Sequence, residues 1–183
     1  YYTRHPDMAE VKALFERVVK CAEGAALGTG TTMEYEVIHG LYNVLPNETL
    51  SKMMYNNLKA VGGVTYTEEE TTFASEIVTT LPEASQVELS TAELIQPFQV
   101  IEKGRGGSTD VGDVSWKVPT AGMRAATWVP GTSAHSWQAV AAGGTDIGHK
   151  GMMVAAKTIA LTAMDIFTQP EVCEKAKVEL ERR

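Results

Sequence analysis

The 183-residue sequence predicts an α/β protein in which a mixed sheet is flanked by helices. Three observations carry that prediction. Apolar residues recur at helical spacing in several segments. Residues 31–38 instead alternate, with Met33, Tyr35 and Val37 on one side and Glu34 and Glu36 on the other. Residues 122–129, GMRAATWV, form a short run that reads as a strand covered on both faces.

Taken in order, the chain opens on YYTR, which reads as the end of a strand whose earlier residues lie upstream, so a fragment or a processed chain is expected. His5-Pro6 breaks that strand. Asp7 then caps a helix from about Met8, because its carboxylate can accept from the free N–H groups of the first turn. Val11, Leu14, Phe15, Val18, Val19 and Ala22 make one apolar stripe, with Glu10, Lys12, Glu16, Arg17 and Lys20 as a solvated face. Gly28 and Gly30 end this helix, and the alternating strand follows.

The stretch NVLPN, residues 43–47, is a crossing point. Asn47 caps a second helix, striped by Leu50, Met53, Met54, Leu58 and Val61 and stopped by Gly62-Gly63. Thr67 begins a third, where Glu68, Glu69 and Glu70 set negative charge against the positive helix end, a structural rather than catalytic role. Residues 81–103 read as loop with short strands. A long helix over residues 148–167 is expected to pack on the sheet through Met152, Ala155, Ala156, Ile159, Ala160, Ala163 and Phe167, and Pro170 opens a last helix running to Arg183.

The composition limits the function classes. Hydrophobic residues at 44% and charged residues at 21% are ordinary for a globular chain, which is long enough to bury a core. A net charge of −7 with no basic cluster points away from nucleic acid. Residues 151–167 are interrupted by Lys157, Thr158, Thr162 and Asp165 and fall short of the ~20 apolar residues a bilayer requires, so no membrane span is expected. Cys21 and Cys173 lie outside any C-x-x-C spacing and read as small buried hydrophobes. Nothing resembles a signal peptide, and a cytoplasmic location is expected.

Residues 106–151 draw attention as a possible site. This glycine-rich run holds two of the four histidines, His135 and His149. Gly106, Gly107, Ser108, Thr109 and Asp110 open it, and His135 follows a Pro-Gly turn. Glycines allow backbone N–H groups close to a ligand, and the hydroxyls and carboxylate offer short polar contacts. The same loop also suits tight packing alone. Asp113 reads as a cap for the turn around residues 114–116, and His149 as a capping or packing residue.

Three blocks in order, GGSTDVGDVSW, VPGTSAHSWQ and GHKGMMVAAKTIALTAMDIF, resemble the C-terminal part of the M20 family of metal-dependent amidohydrolases, in its aminobenzoyl-glutamate branch. CAEGAALGTGTTMEYEV and LYNVLPNETL are similar to the end of that family's lid, or dimerisation, domain and its return to the catalytic domain. The resemblance implies lid residues 1–41 and, in residues 42–183, the C-terminal half of a phosphorylase/hydrolase-like catalytic domain. It implies hydrolysis of the amide bond of aminobenzoyl-glutamate or a related N-acyl amino acid by two divalent metals, zinc or manganese. His135, in AHSW, matches the family's last metal ligand. Gly106 to Asp110 match its pocket loop, and Arg4 matches an arginine that pairs with the substrate carboxylate. The family's other ligands and its catalytic glutamate have no counterpart here, so no catalytic residue is expected in the chain and it is expected to be inactive alone. Association through the lid, with a like or unlike chain, is also implied. A non-catalytic assembly module using the lid remnant is the alternative.

Overall fold

The computed structural model describes residues 1–82, 86–101 and 109–183. Its helices are α1 (Met8–Thr29), α2 (Glu48–Val61), α3 (Glu68–Thr79), α4 (Val111–Ser115), α5 (Trp137–Gly143), α6 (Asp146–Thr168) and α7 (Pro170–Glu181), with a 3-10 turn at Leu89–Ala92. Among the described residues there is no strand, so the expected mixed sheet is not formed and the fold is helical. The physical reason is that alternation prepares only half of a strand, which exists once its backbone groups pair across a ladder. Residues 1–4, 31–38 and 122–128 enter no ladder with other described residues. Around residues 121–128 the only backbone bond between described residues is local, from Thr127 N to Ala125 O at 3.0 Å.

The helix starts follow the caps read in the sequence. Asp7 accepts from Ala9 N at 2.8 Å, Asn47 from Leu50 N at 3.0 Å, and Thr67 and Glu70 form a reciprocal capping box. Pro170 stands at the first turn of α7. At the end of α1 the left-handed residue is Gly30, with φ 66°, while Gly28 stays inside the helix.

The chain divides into two compact units. The first comprises Tyr1–Pro46 and Val100–Thr120, and the second Asn47–Gln99 and Ala121–Arg183.

In the second unit Ala74, Ile77, Val129, Ala142 and Ile147 make the core, with Tyr66, Phe73, Val78, Leu89 and Ala141 packed on it. Helix α2 packs on α6 and α7, and α5 on α6. Polar contacts fasten these helices. Asn47 Nδ2 donates to Ala176 O at 2.9 Å, and Asn57 Nδ2 donates to Asp165 Oδ2 at 2.7 Å. Glu179 accepts from Glu48 N, Thr49 N and Thr49 Oγ1 at 2.6, 2.9 and 2.7 Å, so a carboxylate of α7 closes the start of α2. Burial raises the Glu179 carboxyl, but these bonds and Arg183 outweigh it and hold the group below the usual carboxylate range.

Helix α6 departs from expectation. It buries Ile147, Gly148, Gly151, Thr158 and Thr162, whereas Met152, Ile159 and Phe167 are 55, 54 and 86% exposed. The sheet on which those side chains were to pack is not formed among the described residues, and the helix instead seats its small and hydroxyl residues. A Cβ at Gly151 would collide with the carbonyl of Ala126, so the glycine admits a backbone crossing. At 23 residues α6 is also longer than the expected segment. By length and composition it is the one helix among the described residues able to cross a membrane.

In the first unit α1 buries no residue. Its Phe15 meets Tyr35 edge-on at 5.8 Å between ring centroids. Helix α4 is tied to the crossing segment. Tyr42 N donates to Asp113 Oδ1, Leu45 N to Ser115 Oγ, and Trp116 Nε1 to Asn43 O, each at 2.8 Å. Asp113 is therefore not the cap of a turn at residues 114–116. It lies in the first turn of α4 and binds a backbone amide about seventy positions away in sequence.

Candidate functional site

His135 sits on a frame set by its neighbours. Pro130 and Gly131 occupy the middle of a turn closed by Thr132 N donating to Val129 O at 3.1 Å, with Gly131 at φ 83° as a type II turn requires. Ser136 then caps α5: its hydroxyl accepts from Ala139 N at 3.2 Å and donates to Ser133 O at 2.7 Å. Between turn and cap, His135 has φ 59°, the one positive φ outside glycine among the described residues. Histidine visits that region more readily than most residues, yet the conformation still costs about 1–3 kcal/mol and persists where the surroundings impose it. The side chain is exposed, as are Trp137 and Val140 on the adjacent face of α5.

The loop residues lie in the other unit. Thr109 and Asp110 are exposed, and Thr109 Oγ1 accepts from Val111 N at 3.3 Å. Asp110 occupies the cap position of α4 without a side-chain cap bond, and its carbonyl accepts from Asp113 N at 3.1 Å. Gly106, Gly107 and Ser108 lie outside the described residues. Arg4 is exposed, with its guanidinium 5.0 Å from the Tyr2 ring centroid. The structure thus brings Thr109 and Asp110 together with the start of α4, and places His135 at the start of α5.

Among the described residues no group of three or more His, Cys, Asp or Glu side chains converges as a metal site. This set does not by itself fit a metal centre, and no reaction step can be derived through one here. The acidic triplet proves structural where it is bonded: Glu70 accepts from Thr67 N at 2.7 Å and from Lys150 Nζ at 2.6 Å. The Lys150 hydrogen bond holds the Glu70 carboxyl down, outweighing its burial. Beside it, burial and then Glu70 push the Tyr66 phenol up to about 12. His149 lies 3.6 Å from Asp146, one helical turn away and exposed.

Among the features that escaped the sequence reading are helix α5 itself and the fastening of α4 to residues 42–45. Ser136 ahead of WQAVAA was a usable cap signal for the first. The second had none, because it joins side chains to backbone groups remote in sequence.

Over nearly its whole length the chain is similar to hydrolases, M20 peptidases among them. It is 36% identical to one of the subunits of the p-aminobenzoyl-glutamate hydrolase of Escherichia coli (strain K12) over 201 aligned residues, covering 98% of this chain and 42% of that protein. It is 31% identical to the Xaa-Arg dipeptidase of Mus musculus and 30% identical to that of Homo sapiens, covering 98 and 95% of this chain and 35 and 33% of theirs. The chain therefore spans between a third and about two fifths of the length of these relatives. No family model matches it.

Proposed function

We propose that the chain is the part of a two-metal amidohydrolase that supplies one metal-binding imidazole, His135, and part of the pocket for the substrate's carboxylate. The substrate is aminobenzoyl-glutamate or a related N-acyl amino acid. Zinc or manganese is the metal, bound chiefly by residues outside this chain. Residues 1–41 end a lid domain and residues 42–183 belong to the catalytic domain. Thr109 and Asp110, with Gly106, Gly107 and Ser108, form the carboxylate loop, and the planar fork of Arg4 suits the same carboxylate.

The observation that carries this reading is His135 itself, an exposed imidazole on a left-handed backbone fixed by a turn on one side and a helix cap on the other. Such a frame presents a ligand nitrogen without reorganisation. The chain alone is expected to release no aminobenzoate from aminobenzoyl-glutamate with zinc or manganese added. Turnover that rose with this chain and vanished in His135→Ala would overturn that expectation. In a polypeptide of the relatives' full length that carries this chain, His135→Ala is expected to abolish turnover. A loss within the roughly 10–100-fold of an outer-shell partner would remove His135 from the ligand set. For the loop, titration with glutarate is expected to shift the Thr109 and Asp110 amide resonances, and unmoved resonances would remove it from the pocket.

A second reading rests on a different observation. The apolar stripe of α1 is without buried residues, and Tyr35, Val37 and Ile38 are exposed. An assembly module that pairs through residues 1–41 would cover them. Sedimentation is expected to show a dimer that Val37→Lys dissociates if assembly is the role, and a monomer at all concentrations would dismiss it.

A further inference from the structure

We propose that Asp113, Ser115 and Trp116 form a latch that positions the Thr109-Asp110 loop by gripping the backbone of residues 42–45. Three side chains within four positions of sequence reach three backbone groups within four positions of the crossing segment: Tyr42 N, Asn43 O and Leu45 N. The grip reads main chain rather than side chains, so it fixes position without demanding a particular sequence at residues 42–45. Ser115 is fully buried, and its hydroxyl completes the register by donating to Gly112 O at 2.6 Å. A Cβ at Gly112 would collide with the Tyr42 carbonyl, so the crossing segment lies directly against the helix. The Trp116 ring, tilted against Tyr42 at 5.7 Å between centroids, closes the contact.

Helix α4 is only five residues long and too short to hold its own geometry. Its first turn is continuous with the loop, because Asp110 O accepts from Asp113 N and Thr109 Oγ1 from Val111 N. Anchoring Asp113 from outside therefore anchors Thr109 and Asp110. Asp113 is a positioning residue, acting through the loop without touching substrate. Its functional meaning rests on the proposed assignment of that loop to the substrate carboxylate.

The latch is tested without ligand, so it fails or stands apart from that assignment, which the glutarate titration tests. Amide hydrogen exchange is measured residue by residue on the 183-residue chain and on Asp113→Ala, Asp113→Asn and Trp116→Phe. Asp113→Ala is expected to speed exchange at Tyr42 and at Asp113 together, by roughly tenfold or more, while Leu50 in α2 keeps its rate. Asp113→Asn, which retains an acceptor oxygen, is expected to restore most of the protection at both places. Trp116→Phe keeps an aromatic ring, smaller than the indole, and removes the donor to Asn43 O, and is expected to loosen the same amides to a smaller degree. Faster exchange at Tyr42 with an unchanged rate at Asp113 would overturn the proposal, as would equal exchange in the Ala and Asn variants.

Discussion

Helices α1 and α6 are nearly the same length, 22 and 23 residues, and both carry a long apolar stripe, yet α1 buries nothing and α6 buries five positions. The difference lies in what surrounds them. Helix α6 has α2, α5 and α7 of its own unit against it, and it meets them with Ile147, glycines and threonines. The larger apolar side chains Met152, Ile159 and Phe167 face out. An apolar stripe marks a face that gains by being covered, and the covering element decides whether that gain is realised. Within α6 the positions that let a neighbour approach, Gly151 and Thr158 among them, matter more to packing than the most hydrophobic residues do.

Mutations can break or sharpen this contrast. Ile147→Ala, at a fully buried site of α6, is expected to have the largest effect, lowering stability by about 2–5 kcal/mol in urea unfolding. A smaller loss would mean that the core collapses into the space. Asn47→Ala removes both a cap and the bond to Ala176 from a buried position, and about 1–3 kcal/mol should be lost.

Glu179→Gln sharpens the comparison through pH. The carboxyl is held below its ordinary value in the folded chain, so its contribution is present above the unfolded glutamate pKa of about 4.3 and disappears as pH falls through the lower folded value. The urea midpoint of the parent should exceed that of the variant near neutral pH, and the two should converge in acid. A gap that persists in strong acid would reject this account. Val18→Ala in α1 should change least, within about 0.5 kcal/mol. A loss several times larger would reveal that α1 is covered in solution, as by a second copy.

Local signals in the sequence were legible in the helix caps. Asp7, Asn47, Thr67 with Glu70, and Pro170 each begin a helix where their chemistry places one, because a cap is satisfied by amides a few residues away. Residues 31–38 and 122–129 were not legible in the same way. Their alternating or apolar patterns describe faces, while a strand requires a second chain segment paired with it in a ladder, and no such ladder forms among the described residues. The candidate site divides similarly. His135 and the loop at Thr109 stood out by motif, whereas the left-handed backbone at His135 follows from the turn and cap around it. Asp113 was legible as a residue that binds a nearby amide, and its actual partner, Tyr42 N, is invisible to any local pattern.

By itself the sequence determined where the main helices start, which of their faces are apolar, and the hydrolases to which the chain is similar. These depend on side chains acting over a turn or two, or on residue order alone. Only the tertiary structure decided which apolar faces are covered, that no sheet closes among the described residues, and that α4 grips residues 42–45. Each of those outcomes depends on groups distant in the chain meeting within hydrogen-bond or contact range, and residue order does not encode that meeting locally.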